Sequence, residues 1–176
     1  YPENSYVYNY PITEIVYSVI VSGAETLDSC WWTNDSGVTN YSVSCSSNIT
    51  TTSVSGVNTW TVYANDSSGS IGSDTVQFII DTSAPSIVFI NQTPNPVDQG
   101  SEFEVNVNVT DSNLEKVWII IWENVIGGAV KFQGFLSSLF GDLFNVAIVT
   151  NDTFENLTYN YTIYANDTTG LETNYS

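Results

Sequence analysis

The sequence predicts an all-β chain made of two β-sandwiches in tandem, joined by a short linker that contains proline. Three observations lead to this prediction: a strand-forming composition, many short alternating segments, and an internal repeat. Val, Ile, Thr, Tyr, Phe and Trp, which favour strands, dominate the 176 residues. Apolar residues make up 42 % of the chain, which is enough for two small cores.

An internal repeat places the same strand and turn twice along the chain. Residues 60–69, WTVYANDSSG, match residues 161–170, YTIYANDTTG, 101 positions later. Residues 27–31 match residues 114–118, but only 87 positions later. The second copy therefore carries 14 extra residues between its two matching segments, and we place this apolar insertion within residues 123–145.

Alternating segments separated by turn sequences define the expected strands. In residues 102–110, Phe103, Val105, Val107 and Val109 alternate with polar residues and should form a buried face. Asn-Asp-Ser-Gly and its variants predict turns, because Asn, Asp and Gly accept Asx-turn and left-handed geometry. Strands are expected at 12–22, 27–33, 38–45, 49–54, 58–64, 71–80, 86–91, 101–110, 114–122, 128–136, 143–150, 157–165 and 171–176.

A linker containing proline separates the two copies. It reads Asp-Thr-Ser-Ala-Pro at residues 81–85. Proline fixes φ, lacks a donor and pushes the preceding residue towards extended geometry, so it breaks a strand. We expect domains at 1–81 and 82–176. When the two copies are aligned on the repeat, the first strand of the first domain and the last strand of the second domain are expected to be incomplete.

The pattern LDSCWW…NDSG…C…NTWTVYANDSSG…DTVQFIIDTSAP resembles the tandem Ig-like repeats of archaeal and bacterial cell-surface proteins. The resemblance covers nearly all of the first copy and both flanks of the second. In such arrays a D-T-x-A-P linker closes one repeat and opens the next. The resemblance implies two Ig-like β-sandwiches at the cell surface, but little about a ligand, because Ig-like folds host many functions.

Two further features indicate an extracellular protein. Cys30 and Cys45 flank a predicted turn, which suits a disulfide across neighbouring strands; two buried free thiols are the alternative. N-x-S/T sequons, the acceptors of N-linked glycans in the secretory pathway, begin at 11 of the 19 asparagines, and we do not expect all of them to be occupied. The candidate glycosylation sites are Asn34, Asn40, Asn48, Asn65, Asn91, Asn108, Asn151, Asn156, Asn160, Asn166 and Asn174.

The charge of the chain argues against several classes of function. Nineteen acidic residues face two basic ones, Lys116 and Lys131, giving a net charge of −17. Binding to nucleic acid or to anionic lipid needs a basic surface, which this composition does not supply. The sequence has no His, the usual general base and activator of nucleophiles, so we expect no enzymatic activity. No apolar stretch in this segment is long enough for membrane insertion.

Acidic residues near the linker predict a calcium site. In a β-sandwich the corner after the first long strand and the YAND turn lie at the same end, beside the incoming linker. In the second copy this end gathers four residues with the hard oxygens that Ca²⁺ prefers: Asp81, Asp111, Asn113 and Asp167. The corresponding residues of the first copy are Glu25, Asp28 and Asp66. The alternative is that these Asp residues only cap their own turns.

The insertion contains a run of large apolar residues. Their 3,1,3,1 spacing is typical of one face of a helix, but Gly134 and Gly141 weaken a helix. Two short strands with a turn near residues 137–138 are the alternative. These residues belong either to the core or to an exposed patch that contacts another subunit. The candidate interface residues are Phe132, Phe135, Leu136, Leu139 and Phe140.

Four tryptophans are candidates for a sugar-stacking surface: Trp31, Trp32, Trp118 and Trp122. Alternation places Trp31 and Trp32 on opposite faces of one strand. One core Trp is expected in each sandwich.

These observations together predict a structural function. We expect a glycosylated, extracellular subunit or segment of a cell-surface filament or stalk. Its partners would be neighbouring repeats of the same chain or further subunits that add a strand to it. An adhesin or carbohydrate-binding surface module is the alternative.

Overall fold

The computed structural model describes residues 1–150, 154 and 158–176. Every helix or strand assigned in these residues is a β-strand, so the predicted all-β class is confirmed. The same residues include no helix with the length and hydrophobicity that crossing a membrane requires. The chain divides into two compact units, Tyr1–Thr82 and Ser83–Ser176, and this division lies one residue after the boundary expected from the linker.

The first unit consists of one large and one small sheet. Its strands are β1 (Val7–Tyr8), β2 (Glu14–Ile15), β3 (Leu27–Thr33), β4 (Tyr41–Val43), β5 (Ile49–Thr50), β6 (Gly56–Asp66) and β7 (Ile71–Ile80). The large sheet has the order β1-β7-β6-β3-β4, with β1 parallel to β7 and the other neighbours antiparallel. The small sheet is the antiparallel pair of β2 and β5.

Aromatic rings fill the core of the first unit. The ring centroid of Trp60 lies 4.8 Å from that of Phe78 and 6.0 Å from that of Trp32, in edge-to-face contacts that add to the gain from burial. Cys30 in β3 and Cys45 just after β4 form the predicted disulfide, with Cα atoms 5.3 Å apart. The short strand β4 is therefore held to β3 by a covalent bond as well as by its ladder.

The prediction of a long strand at residues 12–22 is wrong. Only Glu14 and Ile15 pair with another strand, and residues 16–26 belong to no strand. The partner strand, β5, spans only two residues, so it can pair with only two residues of this segment. The apolar–polar alternation continues beyond that point, but Ile20 is 90 % exposed, and its segment pairs with none of the described strands.

The described residues of the second unit form two four-stranded sheets. Its strands are β8 (Ser86–Thr93), β9 (Glu102–Thr110), β10 (Leu114–Glu123), β11 (Val130–Phe135), β12 (Ser137–Phe140), β13 (Leu143–Val149), β14 (Tyr159–Asp167) and β15 (Glu172–Tyr175). One sheet has the order β12-β13-β9-β8 and the other β11-β10-β14-β15. All these neighbours are antiparallel.

The core of the second unit is aliphatic. The predicted inward face of β9 is confirmed, since its four apolar side chains are all buried. Inward positions of β10 and β14 meet them from the other sheet. The fully or almost fully buried residues of this core include Phe103, Val105, Val107, Val109, Val117, Ile119, Ile121, Ile148, Ile163 and Ala165.

The insertion forms strands rather than a helix. β11 pairs with β10 in one sheet, whereas β12 pairs with β13 in the other. Leu136 lies at the point where the chain changes sheets; its N donates to Val117 O over 2.9 Å, and it is 6 % exposed. The turn between β12 and β13 falls at residues 141–142, not near residues 137–138. The alternation of apolar and polar residues in β11 ends at Phe135, and Leu136, between β11 and β12, is the next apolar residue. This break in the alternation produces the helix-like spacing of apolar residues.

We expect Leu136→Ala to lower the free energy of unfolding by about 2–5 kcal/mol, because it opens a cavity at the point where β11 leads into β12. Leu139→Ala is the matched control: Leu139 is mostly exposed, so its truncation should change stability by no more than about 0.5 kcal/mol. Urea denaturation of both variants measures the difference. Equal losses would contradict the assignment of Leu136 to the core.

Candidate functional site

The YAND motif of the second unit ends in an Asx turn centred on Asp167. Asp167 Oδ1 accepts hydrogen bonds from the main-chain N of Thr169 (2.8 Å) and Leu171 (3.0 Å). It also accepts one from the Thr169 hydroxyl (2.7 Å). Gly170 closes the turn with a φ of 84°, in the left-handed region that favours glycine. One oxygen of this carboxylate therefore holds the whole turn.

The first unit repeats this turn around Asp66. Asp66 Oδ1 accepts hydrogen bonds from the N of Ser68 (2.9 Å), the N of Ser70 (3.0 Å) and the Ser68 hydroxyl (2.7 Å). The Ser68 hydroxyl, followed by the Ser70 N–H, holds the pKa of Asp66 below its ordinary value. The two copies of the repeat thus build the same turn with the same Asp.

A second carboxylate approaches Asp167 in the second unit. Asp111 follows β9, and its Oδ1 accepts a hydrogen bond from Asn113 N over 2.7 Å. Asn113 O in turn accepts a hydrogen bond from Thr168 N over 2.9 Å, which fixes the β9–β10 loop against the β14–β15 turn. A carboxylate oxygen of Asp111 lies within 4.8 Å of one of Asp167. The structure thus brings together Asp111, Asn113 and Asp167 of the four predicted calcium ligands.

Asp167 presents a carboxylate oxygen that its turn does not use. Its side chain is 0 % exposed, and Oδ2 is a buried atom with no hydrogen-bond partner among the described residues. Two ionised carboxylates within 4.8 Å of each other repel by about 3.5 kcal/mol or more at an effective dielectric constant of about 20. Burying an oxygen without a partner adds a desolvation cost. We define Asp111, Asn113 and Asp167 as the acidic corner.

The fourth predicted ligand, Asp81, belongs to the first unit. It follows the last residue of β7, and its main-chain N donates to Tyr8 O over 2.9 Å. Its contribution to a calcium site stays a prediction from the sequence.

The first unit has the counterpart of the acidic corner without the second carboxylate. Ser67 N donates to Thr26 O over 2.8 Å, as Thr168 N does to Asn113 O. The residue in the position of Asp111 is Ala24. The sequence predicted calcium ligands in the first copy as well. Among the described residues their carboxylates do not come together as one group: Glu25, Asp28 and Asp66.

Trp31 and Trp32 lie on opposite faces of β3, as predicted. Trp32 is buried in the core, so it is not available to a ligand. Trp31 is half-buried on the outer face and stacks on Tyr63 of β6, with ring centroids 5.4 Å apart and an interplanar angle of 2°. Tyr63 was not among the residues predicted from the sequence, although its place in the repeated YAND motif is a signal that could have identified it.

The second unit has the same outer pair but no core tryptophan. Trp118 stacks on Tyr164, with ring centroids 5.2 Å apart. The inward position next to Trp118 is occupied by the fully buried Ile119, so the expectation of one core Trp in each sandwich is wrong for this unit. Trp122 is half-buried and lines a shallow pocket with Tyr161 and other aromatic residues.

The surroundings of the two outer tryptophans differ. In the second unit Lys116 Nζ lies 5.7 Å from the Trp118 ring centroid, in a cation–π contact. The corresponding residue of the first unit is Ser29, which is too short to cover a ring. Trp31 instead borders a shallow depression of about 590 Å³, which is also lined by Asp28, Ser29, Asn40, Ser42 and Ser44.

The candidate glycosylation sites differ in exposure. Six are exposed: Asn34, Asn40, Asn48, Asn91, Asn160 and Asn174. Three are half-buried: Asn65, Asn108 and Asn166. In two of these the Nδ2 atom that would carry a glycan donates to a carboxylate, Asn65 to Asp28 (3.2 Å) and Asn166 to Glu115 (2.6 Å). Asn151 and Asn156 lie outside the described residues.

The candidate interface residues do not share one environment. Leu136 is in the core and Phe132 packs against it, so neither forms a free surface; this corrects their selection as interface residues. Phe135, Leu139 and Phe140 are exposed, Phe140 at 86 %. In the described part of the chain, β12 pairs on one side only, with β13. We call β12 together with Phe135 the apolar edge.

No family model and no curated protein matches the chain. Among solved structures, it is similar to the fibronectin(III)-like modules of CbhA from Clostridium thermocellum, with 14 % identity and a TM-score of 0.42. The similarity covers 98 % of this chain and 87 % of that chain.

In a host that attaches N-linked glycans, we expect the exposed Asn34 and Asn40 to be occupied and Asn65 and Asn166 to be unmodified. A glycan on either of the last two would replace one of the two Nδ2 hydrogens and place a sugar against the carboxylate to which Nδ2 donates. Glycopeptide mass spectrometry of the secreted protein measures occupancy at each site. High occupancy at Asn65 and Asn166 would show that exposure in the folded unit does not govern modification.

Proposed function

We propose that this chain is a structural, non-catalytic module of an extracellular glycoprotein, which joins further copies of itself into a surface filament or stalk. The observation that carries the proposal is the apolar edge: among the described residues β12 pairs on one side only, and the edge has three large exposed side chains. Such an edge favours the addition of another strand. Large exposed apolar residues grouped together favour a protein contact.

The extracellular location is supported by two independent features of the structure. The disulfide between Cys30 and Cys45 is typical of proteins that fold in an oxidising compartment. Six sequon asparagines are exposed, and therefore accessible to the enzyme that attaches N-linked glycans. The absence of His from the sequence supports a structural function over a catalytic one.

A second copy of the chain is the occupant that the apolar edge fits best. Antiparallel pairing of an edge strand with its own copy across a two-fold axis satisfies the N–H and C=O groups of both strands. It also buries the phenylalanine and leucine side chains of one copy against those of the other. Pairing across a two-fold axis stops at a dimer, so a filament requires that the edge accept a different strand of the next copy, in a head-to-tail contact that repeats from copy to copy.

We expect the double variant Phe135→Ser, Phe140→Ser to remain folded and monomeric under conditions in which the wild-type protein self-associates. Both side chains are exposed, so their loss removes contact area without opening a core cavity. Sedimentation velocity over a range of concentrations, together with electron microscopy of the native material, measures assembly.

Val57→Ser is the control for the loss of an exposed apolar residue, because Val57 is exposed on β6, an interior strand of the first unit. It should assemble as the wild type does. Identical sedimentation of the wild type and the double variant would overturn the proposed interface, and unfolding of the double variant would assign these side chains to the core.

Carbohydrate binding at Trp31 is the second candidate function. The half-buried indole borders a depression with several hydroxyl and amide groups, an arrangement that suits stacking on a sugar ring with hydrogen bonds to its hydroxyls. If this function is correct, Trp31→Ala should abolish binding on a glycan array, whereas Trp118→Ala should not. Absence of binding by the wild-type protein, or equal binding by both variants, would contradict it.

A further inference from the structure

We propose that the acidic corner of the second unit binds one calcium ion, with Asp167 Oδ2 and the Asp111 carboxylate as its charged ligands. A carboxylate oxygen of each residue lies within 4.8 Å of one of the other, a separation that a single Ca²⁺ can bridge at its usual bond lengths to oxygen. The site goes beyond the proposed structural function, which does not depend on it.

The burial of Asp167 points to a cation rather than to a turn cap alone. A cap uses one oxygen, and Asp167 Oδ1 already accepts all three hydrogen bonds of its turn. The other oxygen is buried without a partner, within a side chain that is 0 % exposed. An ionised carboxylate in such a position needs a counter-charge, because desolvation disfavours it. The two basic residues of the sequence, Lys116 and Lys131, are engaged with Trp118 and Glu123.

The first unit supplies an internal comparison. Asp66 caps the same turn with the same three hydrogen bonds, but it is only half-buried, and Ala24 replaces the second carboxylate. A turn cap therefore requires neither full burial nor a neighbouring acid. The features that distinguish the second unit are those that a cation site requires.

The chemistry of the corner favours Ca²⁺ over Mg²⁺ and transition metals. The ligands are carboxylate oxygens, beside the Asn113 main chain whose N donates to Asp111, and no His or free Cys is present to bind a softer ion. Two loops joined by the hydrogen bond from Thr168 N to Asn113 O offer an irregular set of oxygens. Ca²⁺ accepts such sets and completes its shell with water, whereas Mg²⁺ demands near-ideal octahedral geometry.

Isothermal titration of the full chain with calcium chloride tests the site directly. We expect the wild-type protein and Asp66→Asn to bind one Ca²⁺ with the same affinity. Asp167→Asn and Asp111→Asn should each weaken binding at least tenfold. Each substitution keeps a side-chain oxygen that can accept the hydrogen bonds of the turn but removes the negative charge that would bind the ion. Absence of saturable binding by the wild type, or equal weakening in Asp66→Asn, would overturn the proposal.

Thermal unfolding separates a cation site from a structural turn. In EDTA, Asp111→Asn should melt at or above the temperature of the wild type, because it removes repulsion from Asp167. In excess calcium chloride it should melt below the wild type, because the wild type alone gains stability from the ion. Destabilisation of Asp111→Asn by the same amount in EDTA and in calcium would show that the residue only supports the loop, and the proposal would be wrong.

Discussion

Main-chain hydrogen bonding between neighbouring strands is the interaction on which both units depend, because buried N–H and C=O groups must find partners. In the second unit, β9 and β10 each pair on both sides, and their alternating valines and isoleucines form the core between two sheets. In the first unit, β2 and β5 pair over only two residues, and the alternating sequence that follows β2 belongs to no strand. The extent of pairing therefore decides where an alternating sequence becomes a strand.

The same requirement explains the insertion of the second unit. Leu136 is buried because the chain changes from one sheet to the other at that residue, and its N–H finds a partner in β10. Beyond it, β12 pairs on one side and exposes Phe140. One segment therefore supplies both a core residue and the surface to which we assign assembly. The side of β12 that has no partner strand within residues 1–150, 154 and 158–176 links the fold to the proposed function.

The two YAND turns show how one local structure serves two environments. Asp66 and Asp167 accept equivalent hydrogen bonds, so the turn itself needs nothing more than one Asp and a glycine with positive φ. Burial distinguishes them, because Asp167 is fully buried beside Asp111, whereas Ala24 stands at the corresponding position of the first unit. A pair of carboxylates, one of them fully buried, therefore forms beside the turn in the second copy of the repeat and not in the first.

The sequence by itself determined the all-β class, the inward face of β9, the disulfide and the repeated turn, because each depends on local alternation, turn chemistry or the spacing of two cysteines. It also predicted that Asp111, Asn113 and Asp167 would lie near one another, since the repeat gave the order of the strands. Only the tertiary structure decided which of Phe135, Leu136 and Phe140 is buried, that Ile119 replaces a core tryptophan, and that Asp167 is desolvated. Burial depends on which strands pair and which sheets pack, and local sequence does not contain that information.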